Sequence, residues 1–483
     1  MIQPLTFDEF QMLAKDAARV AVFQEIPAGK LTPTRIYTLL NKSCKTDGLI
    51  LEDLDQRGYL HYSFICFEAT ASLIINQGDD DHPLTAIRNM QSQLAYSTRV
   101  ETANLITSAA GFITYDAIRY FEDIPDRHAA DLAIPTVLFN FYTLSLTFDH
   151  ERQTILISHV VTIGNDLKQS YLKAQQKIIA TIDILCNSPY EIDPPIMKQK
   201  TSTIEVDTSD ADFMNLIEKA KEFIICGDAF QIVLSRCYKR HYSVSPFDIY
   251  KTLRRVSPSP FMFYFPTQSS VIIGASPEQF IRVNNKQITV NPIAGTRKRT
   301  GERTNEAIAA DLLNDDKELA EHMMLVDLAR NDVGAVSDPG SVQVSELLDV
   351  KHYSHLSHIT STVTGHLQEK YDALDAFAAA FPAGTLSGAP KIRAMQIIDE
   401  LETSRRGLYG GAICRLDSLG NLDSCIAIRM AILNNGIATI RTGAGIVYDS
   451  NPAAEAQETY QKAQSMLDAI AEAHGEHYVA DHR

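Results

Sequence analysis

Two strand-length apolar runs, Val137 to Phe148 and Thr154 to Ile163, flank the polar segment Asp149 to Gln153, a pattern that predicts a β-hairpin. Farther along, Val271 to Gly274 and Gln279 to Val283 lead through Asn284-Asn285-Lys286 into Gln287 to Val290, which predicts a further meander. Helical spacing takes over at 305 to 330, 390 to 402 and 452 to 472. In the first of these, Leu319, Met323 and Val326 stand at i, i+4 and i+7 and predict a buried stripe. In the last, Ala456, Tyr460, Ala463 and Leu467 form the stripe, behind Asn451 as N-cap and Pro452 as the first helical residue. No regular βαβ alternation links these elements, so the pattern predicts an α+β fold with antiparallel sheets forming the core and helices outside. The stretch Asn187 to Lys200, NSPYEIDPPIMKQK, is rich in proline and polar residues, as linkers are. It predicts a linker over 187–204 between an N-terminal region, 1–186, and a second domain, 205–475, with a short tail at 476–483.

Composition narrows the function classes. A chain of 483 residues with 45% apolar content can bury a sizeable core. The N-terminus has acids where a signal peptide needs a basic then apolar run, and no apolar stretch approaches the ~20 residues that span a bilayer. A cytoplasmic protein that does not enter the membrane is therefore expected. Seven cysteines without CxxC spacing lie mostly in apolar runs, such as those around Cys66 and Cys226, and read as reduced core residues. A formal charge of −16 disfavours a nucleic-acid partner and favours cations.

The acids show a repeated pattern. Glu318 and Glu321 stand one turn apart beside the first stripe, and Glu455 and Glu458 repeat that spacing near the C-terminus. Four carboxylates in one cleft would raise one another's pKa unless a cation intervened, and oxygen ligands with positions left for water and substrate suit Mg²⁺. Spacing alone favours simpler roles: Glu318 lies three residues after Asp315, as in a capping box, and Glu455 lies in a first helical turn. Anion-binding signals are equally weak singly. They are the glycines of Arg441-Thr442-Gly443-Ala444-Gly445, the glycine-rich turn Phe381 to Lys391, and Arg429, which strand alternation from Asp423 to Leu433 sets on the face away from Ile426, Ile428, Met430 and Ile432.

Taken in order, the segments GDAFQIVLSR, SPSPFMFYF, GASPEQF, NPIAGTRKR, KELAEHMMLVDLARNDVG, YSHLSHITS, FPAGTLSGAPKIRAM, RGLYGGA, CIAIR and GAGIVYDS resemble the chorismate-utilising enzymes, most closely the anthranilate synthase component I family. Before the linker, LTFDEF, YSFI and GFITYDAIRYFEDIP are similar to that family's N-terminal region. The resemblance implies two intertwined subdomains with the site in a cleft. It assigns Glu318, Glu321, Glu455 and Glu458 to a Mg²⁺ that holds the ring carboxylate of chorismate. Gly295, Thr296 and the N–H groups around Gly443, Ala444 and Gly445 would seat the substrate, while Arg429 and Tyr409 would hold the enolpyruvyl carboxylate. Glu278 matches the general acid that protonates the departing 4-hydroxyl, and His358 the histidine implicated in eliminating pyruvate. The implied reaction is attack of ammonia at C2 to give 2-amino-4-deoxyisochorismate, then pyruvate loss to anthranilate, the first step of tryptophan biosynthesis. No cysteine stands in a GxCxG setting, so the resemblance implies a separate glutamine amidotransferase subunit, component II, as the ammonia source.

Particular positions refine the expectation. Relatives that make aminodeoxychorismate carry a nucleophilic lysine where this chain has Ala294, and isochorismate and salicylate synthases carry a lysine base where it has Gln231. An amide cannot activate water, so ammonia is the expected nucleophile. An enzyme that stops at 2-amino-4-deoxyisochorismate, or a paralogue that binds chorismate without turnover, stay as alternatives. The family's tryptophan-sensing pocket maps to Asp53, Ser257, Pro260, Phe261 and Met262, with Asp53 in place of serine and Ser257 in place of asparagine. A carboxylate there puts inhibition by tryptophan in question. Cys414, Arg415, Met430 and Ala335 also depart from the family's motifs, in segments expected to border the site.

Overall fold

The expected hairpin forms: Val137–Asp149 pairs antiparallel with Thr154–Thr162. A computed structural model describes residues 1–44, 47–54, 60–129, 134–189, 203–299, 303–352 and 356–475. Most of the linker expected over 187–204 and the whole tail expected over 476–483 lie outside the described residues.

Strand Val137–Asp149 is the root of two arms of sheet, all of whose described pairings are antiparallel. One arm runs through Leu60–Ile75, Leu49–Leu54, Phe261–Pro266, Val271–Ser276, Met430–Asn434 and Ile437–Ile446 to Gln231–His241. The other runs through Thr107–Ile113, Ala412–Asp417, Leu422–Ile426, Gln279–Asn284 and Gln287–Val290 to Leu356–His366, which also pairs with Ile293–Lys298 and Gln343–His352. Strands from before residue 187 thus hydrogen-bond into the same network as later ones, which is the intertwined α+β arrangement expected. The chain crosses between the arms at Pro277-Glu278 and again at Ala427-Ile428-Arg429. Helix Asp316–Gly334 packs on the second arm, and helix Pro452–Ala473 on the first.

Local chemistry sets these helices. Asp315 accepts from the N–H groups of Lys317 and Glu318 at 3.2 and 3.3 Å, and this cap splits the helical stretch expected at 305 to 330 into Asn305–Leu313 and Asp316–Gly334. The buried face of the second helix is His322, Leu325, Val326, Ala329 and Val333, whereas Met323 is exposed. The stripe is therefore phased on a histidine that hydrophobic patterning does not count, and this turns Glu318 and Glu321 inward. Asn451 accepts from the N–H groups of Ala453 and Ala454, so the C-terminal helix starts where its cap predicts. Its stripe is largely as expected, with Tyr460 only partly buried.

Two expectations need correction. Alternation does not run from Asp423 to Leu433, because Leu422–Ile426 ends and Met430–Asn434 starts around Arg429, whose φ is +49°. Of the cysteines, Cys66, Cys237, Cys414 and Cys425 are buried, but Cys226 and Cys186 are exposed. No helix among the described residues is long and apolar enough to cross a membrane.

Candidate active site

Strand Ile437–Ile446 pairs with Gln231–His241 along its whole length, but with Met430–Asn434 only as far as Thr439. Beyond that point its second edge has no strand partner among the described residues, which leaves backbone groups available to a ligand. Its even-numbered residues face helix Pro452–Ala473: Thr442 Oγ1 donates to the carbonyl of Thr459, and Ala444 and Ile446 share a buried cluster with Ala456. Its odd-numbered residues face the opposite way, and two of them are glycine. A Cβ at Gly443 would sit 2.7 Å from Tyr409 Oη, and one at Gly445 would sit 2.8 Å from Gln231 Nε2. The two glycines form a floor against which Tyr409 and Gln231 lie.

The crossings between arms deliver an acid and a cation to this floor. Glu278 is partly buried; its Oε1 accepts from Thr385 Oγ1 at 2.9 Å, and its carbonyl accepts from the N–H of Ile426 at 3.0 Å. Burial pushes its carboxyl up to about 7, against the opposing pull of the Thr385 bond and the Lys462 charge. At the other crossing, Ala427 donates to Gly411 O at 2.8 Å and accepts from Gly410 N at 3.1 Å, which seats Tyr409 near Arg429. The Arg429 guanidinium makes no hydrogen bond or ion pair among the described residues. Burial lowers its pKa, while Tyr409 and Glu458 pull it back up. A partly buried cation with no hydrogen-bonded or ion-paired partner among the described residues is suited to an anionic ligand.

On the second arm, a β-bulge separates Ala294 from Thr296, and Gly295 takes it up with φ +63°. The bulge turns the Gly295 carbonyl onto His358 Nδ1, 3.0 Å away. A Cβ at Gly295 would sit 3.2 Å from Glu318 Oε2, so the first glutamate pair adjoins the histidine strand. Ala294 is buried. The backbone of Thr296 pairs with His358, and its side chain lies outside the described residues.

The two glutamate pairs, for which spacing alone favours capping or surface roles, sense one another across the fold. Glu455 is buried and accepts from Ser450 Oγ at 2.8 Å. Burial raises Glu321, and the charges of Glu318 and Glu458 raise it further; burial and Glu458 likewise raise Glu455. The two pairs, from helices far apart in sequence, therefore sense one another. Glu318 accepts from Arg297 Nη1 at 3.0 Å and Glu458 pairs with Lys462 Nζ at 2.6 Å. Among the described residues no three of His, Cys, Asp or Glu stand close enough to enclose a metal on their own. The donor set fits a hard divalent cation that takes its remaining ligands from water and substrate, since mutually repelling carboxylates lose that penalty when such an ion enters.

Comparison with known proteins agrees with this geometry. The family model for chorismate binding enzyme matches residues 47–468. The chain belongs to the chorismate-binding enzyme family. It is similar to anthranilate synthase component 1 of Acetivibrio thermocellus, 38% identical with 97% of this chain and 98% of that one covered, and to that of Aquifex aeolicus, 34% identical with 96% and 97% covered. The crystal structure of anthranilate synthase component I from Streptococcus pneumoniae shares 35% identity and a TM-score of 0.76 over 91% of this chain and 98% of that one. The menaquinone-specific isochorismate synthase of Escherichia coli has the same fold, with a TM-score of 0.72 over 98% of this chain and 96% of that one at 18% identity.

Three residues that sequence reasoning passed over hold candidate site residues in place. Lys462 bridges Glu458 and the carbonyl of Gly443, 3.0 Å away; its i, i+4 spacing from Glu458 is the signal that points to it. Thr385 holds Glu278, and Arg297 ties Glu318 to Asp311 and Asp315. Neither has a local signal, because each partner comes from another segment.

The tryptophan-sensing positions divide. Asp53, Phe261 and Met262 line a cavity of about 40 Å³ together with Phe64, Arg415 and Asp423. Ser257 instead ends helix Pro246–Val256, its N–H donating to Leu253 O at 2.9 Å, and neither it nor Pro260 is among the cavity's lining residues. Arg282 bridges Asp53 and Asp423 at 3.2 and 3.0 Å, and burial with the Asp423 charge raises the Asp53 carboxyl. The departures at Cys414 and Arg415 line this cavity, with the Arg415 guanidinium 4.0 Å from the Phe64 ring. Met430 is core, packed against Gly274, and Ala335 caps its helix roughly 20 Å along the axis from Glu321, so it does not border the glutamates.

Proposed function

We propose that this chain is the synthase subunit of an anthranilate synthase, converting chorismate and ammonia to anthranilate and pyruvate through 2-amino-4-deoxyisochorismate, in the cytoplasm. The observation that carries the reading is Glu278: a carboxyl at an arm crossing, held by Thr385, raised to about 7, and sensing the charge of Lys462, which donates to the carbonyl of Gly443. A carboxyl still protonated near neutral pH is what a departing hydroxyl needs.

Arg429 and Tyr409 would hold the enolpyruvyl carboxylate at the floor made by Gly443 and Gly445, so that the ring lies toward Glu278. Glu318, Glu321, Glu455 and Glu458 would hold Mg²⁺, which when bound supplies the counter-charge for the ring carboxylate. Glu278 gives its proton to the 4-hydroxyl, which leaves as water while ammonia adds at C2. Buried Gln231 presents an amide, which cannot activate water, and Ala294 offers no nucleophile. His358, its Nδ1–H held by Gly295, keeps its lone pair on Nε2 for the proton lost at C2 as pyruvate departs. Ammonia would come from a glutamine amidotransferase partner, component II, and ammonium salts should replace it. The fixed dipoles do their work through positioning and electrostatics, without a covalent intermediate.

The test is to mix the chain with chorismate, ammonium and Mg²⁺ and follow anthranilate fluorescence. A fluorescence rise matching chorismate loss is expected. Consumption without fluorescence would indicate an enzyme that stops at the aminated intermediate, and no consumption would overturn the catalytic reading.

A further inference from the structure

We propose that Asp332, through a small cavity that it shares with Glu278, returns a proton to the general acid after each turnover, a role that rests on the reading of Glu278 given above. Glu278 is only partly exposed, and the cavity gives the proton it has lost a defined route of return. Asp332 stands two turns beyond Leu325 in helix Asp316–Gly334, with 17% of its side chain exposed to solvent. Lys391 Nζ lies 3.0 Å from both of its carboxylate oxygens and 2.8 Å from Ala380 O. Glu278 and Asp332 both line one cavity of about 40 Å³, whose walls include Asn291, Leu328, Ala329 and Gly384. At ~10–15 Å³ for each water, that space takes a short water chain. Each oxygen of Asp332 keeps a lone pair for such a water beside the lysine. Burial raises Asp332 to about 6 despite Lys391, so part of its population carries a proton near neutral pH.

The proton count closes. In the aminating step the C2–N bond forms, the C4–O bond breaks, and the Glu278 proton leaves with the hydroxyl as water. The Glu278 carboxylate takes a proton from a cavity water, that water takes one from the Asp332 carboxyl, and Asp332 takes one from solvent. The nitrogen added at C2 releases its extra proton to solvent, and nothing is oxidised or reduced.

A purely structural role for Asp332 and Lys391, tying helix Asp316–Gly334 to helix Lys391–Leu401, makes different predictions. With the full chain and ammonium as nitrogen source, Asp332→Asn is expected to lower kcat about ten-fold or more with the KM for chorismate unchanged. Activity should climb again as imidazole buffer concentration rises, while Lys391→Met keeps most of kcat. Ala329→Val, which fills the cavity without touching either carboxyl, should also lower kcat, and it serves if Asp332→Asn does not fold. Equal losses in Asp332→Asn and Lys391→Met with no response to buffer, or a fully active Asp332→Asn or Ala329→Val, would overturn the relay. Glu278→Gln run alongside separates the two readings: if it turns over normally the general-acid reading fails, and if it is inactive beside a fully active Asp332→Asn only the relay fails.

Discussion

The Nδ1–H of His358 donates to the carbonyl of Gly295 across 3.0 Å, and because a carbonyl can only accept, the lone pair of the neutral ring lies on Nε2. Burial, reinforced by the Arg429 charge, lowers the imidazole below its ordinary pKa, so the ring is a neutral base at neutral pH. Replacing His358 with Asn removes Nε2 as a base. The expected outcome is continued chorismate consumption with anthranilate formation reduced at least about a hundred-fold, read by chromatography of the aminated intermediate. Unchanged anthranilate yield would remove His358 from the elimination step.

The glycine floor gives a graded prediction. A Cβ at Gly443 would meet the backbone oxygen of Leu234 at 2.5 Å as well as Tyr409 Oη, whereas one at Gly445 would meet chiefly the mobile end of Gln231. Gly443→Ala should therefore raise the KM for chorismate well above the effect of Gly445→Ala, and cost about 1–3 kcal/mol of stability in thermal or urea unfolding. Equal kinetic effects would mean that Tyr409 does not face the substrate.

Glu278 predicts the pH profile. Its protonated form is the active one, so kcat/KM should fall with rising pH above about 7. Stability follows the same group: between its ordinary 4.5 and about 7 the folded chain holds a proton that the unfolded chain releases, so stability declines as pH rises through that window. Glu278→Gln should abolish turnover and flatten the stability profile through that window. A wild-type kcat/KM that stays level well above that range would contradict the assignment.

The Asp53 cavity predicts weak response to tryptophan. At about 40 Å³, with Asp53 and Asp423 of its wall tied together by Arg282, it is too small for an indole ring as it stands. Asp53→Ser removes one carboxylate and one arm of the bridge. Tryptophan should inhibit that variant more strongly than the wild-type chain in the ammonium assay; the reverse order would show that Asp53 contributes to the pocket rather than closing it.

Much of this arrangement is legible in the chain. The hairpin at Asp149 to Gln153 and the cap at Asn451 follow from period and cap chemistry, because those signals are local; the glutamate pairs gain a site role only through the resemblance, since their spacing alone reads as capping. Patterning misses the phase of the Asp316–Gly334 helix, since its buried face carries His322, whose Nε2 lies 2.7 Å from Ser361 Oγ in the interior. It misreads Arg429 because a strand break, not alternation, turns that residue. Thr385 acts on Glu278, a partner brought near only by the fold, so no window of sequence contains its role, and only the Glu458 half of the Lys462 role has a local signal.

The central claim is that the two helical glutamate pairs hold Mg²⁺ against the ring carboxylate of chorismate. Titration calorimetry of chorismate into the chain, with and without Mg²⁺ and in Glu321→Gln and Glu455→Gln, tests it most directly. Binding that needs Mg²⁺ in the wild-type chain and loses that dependence in both variants is the predicted result. Equal affinity without the metal, or a Mg²⁺ dependence that survives both substitutions unchanged, would contradict it.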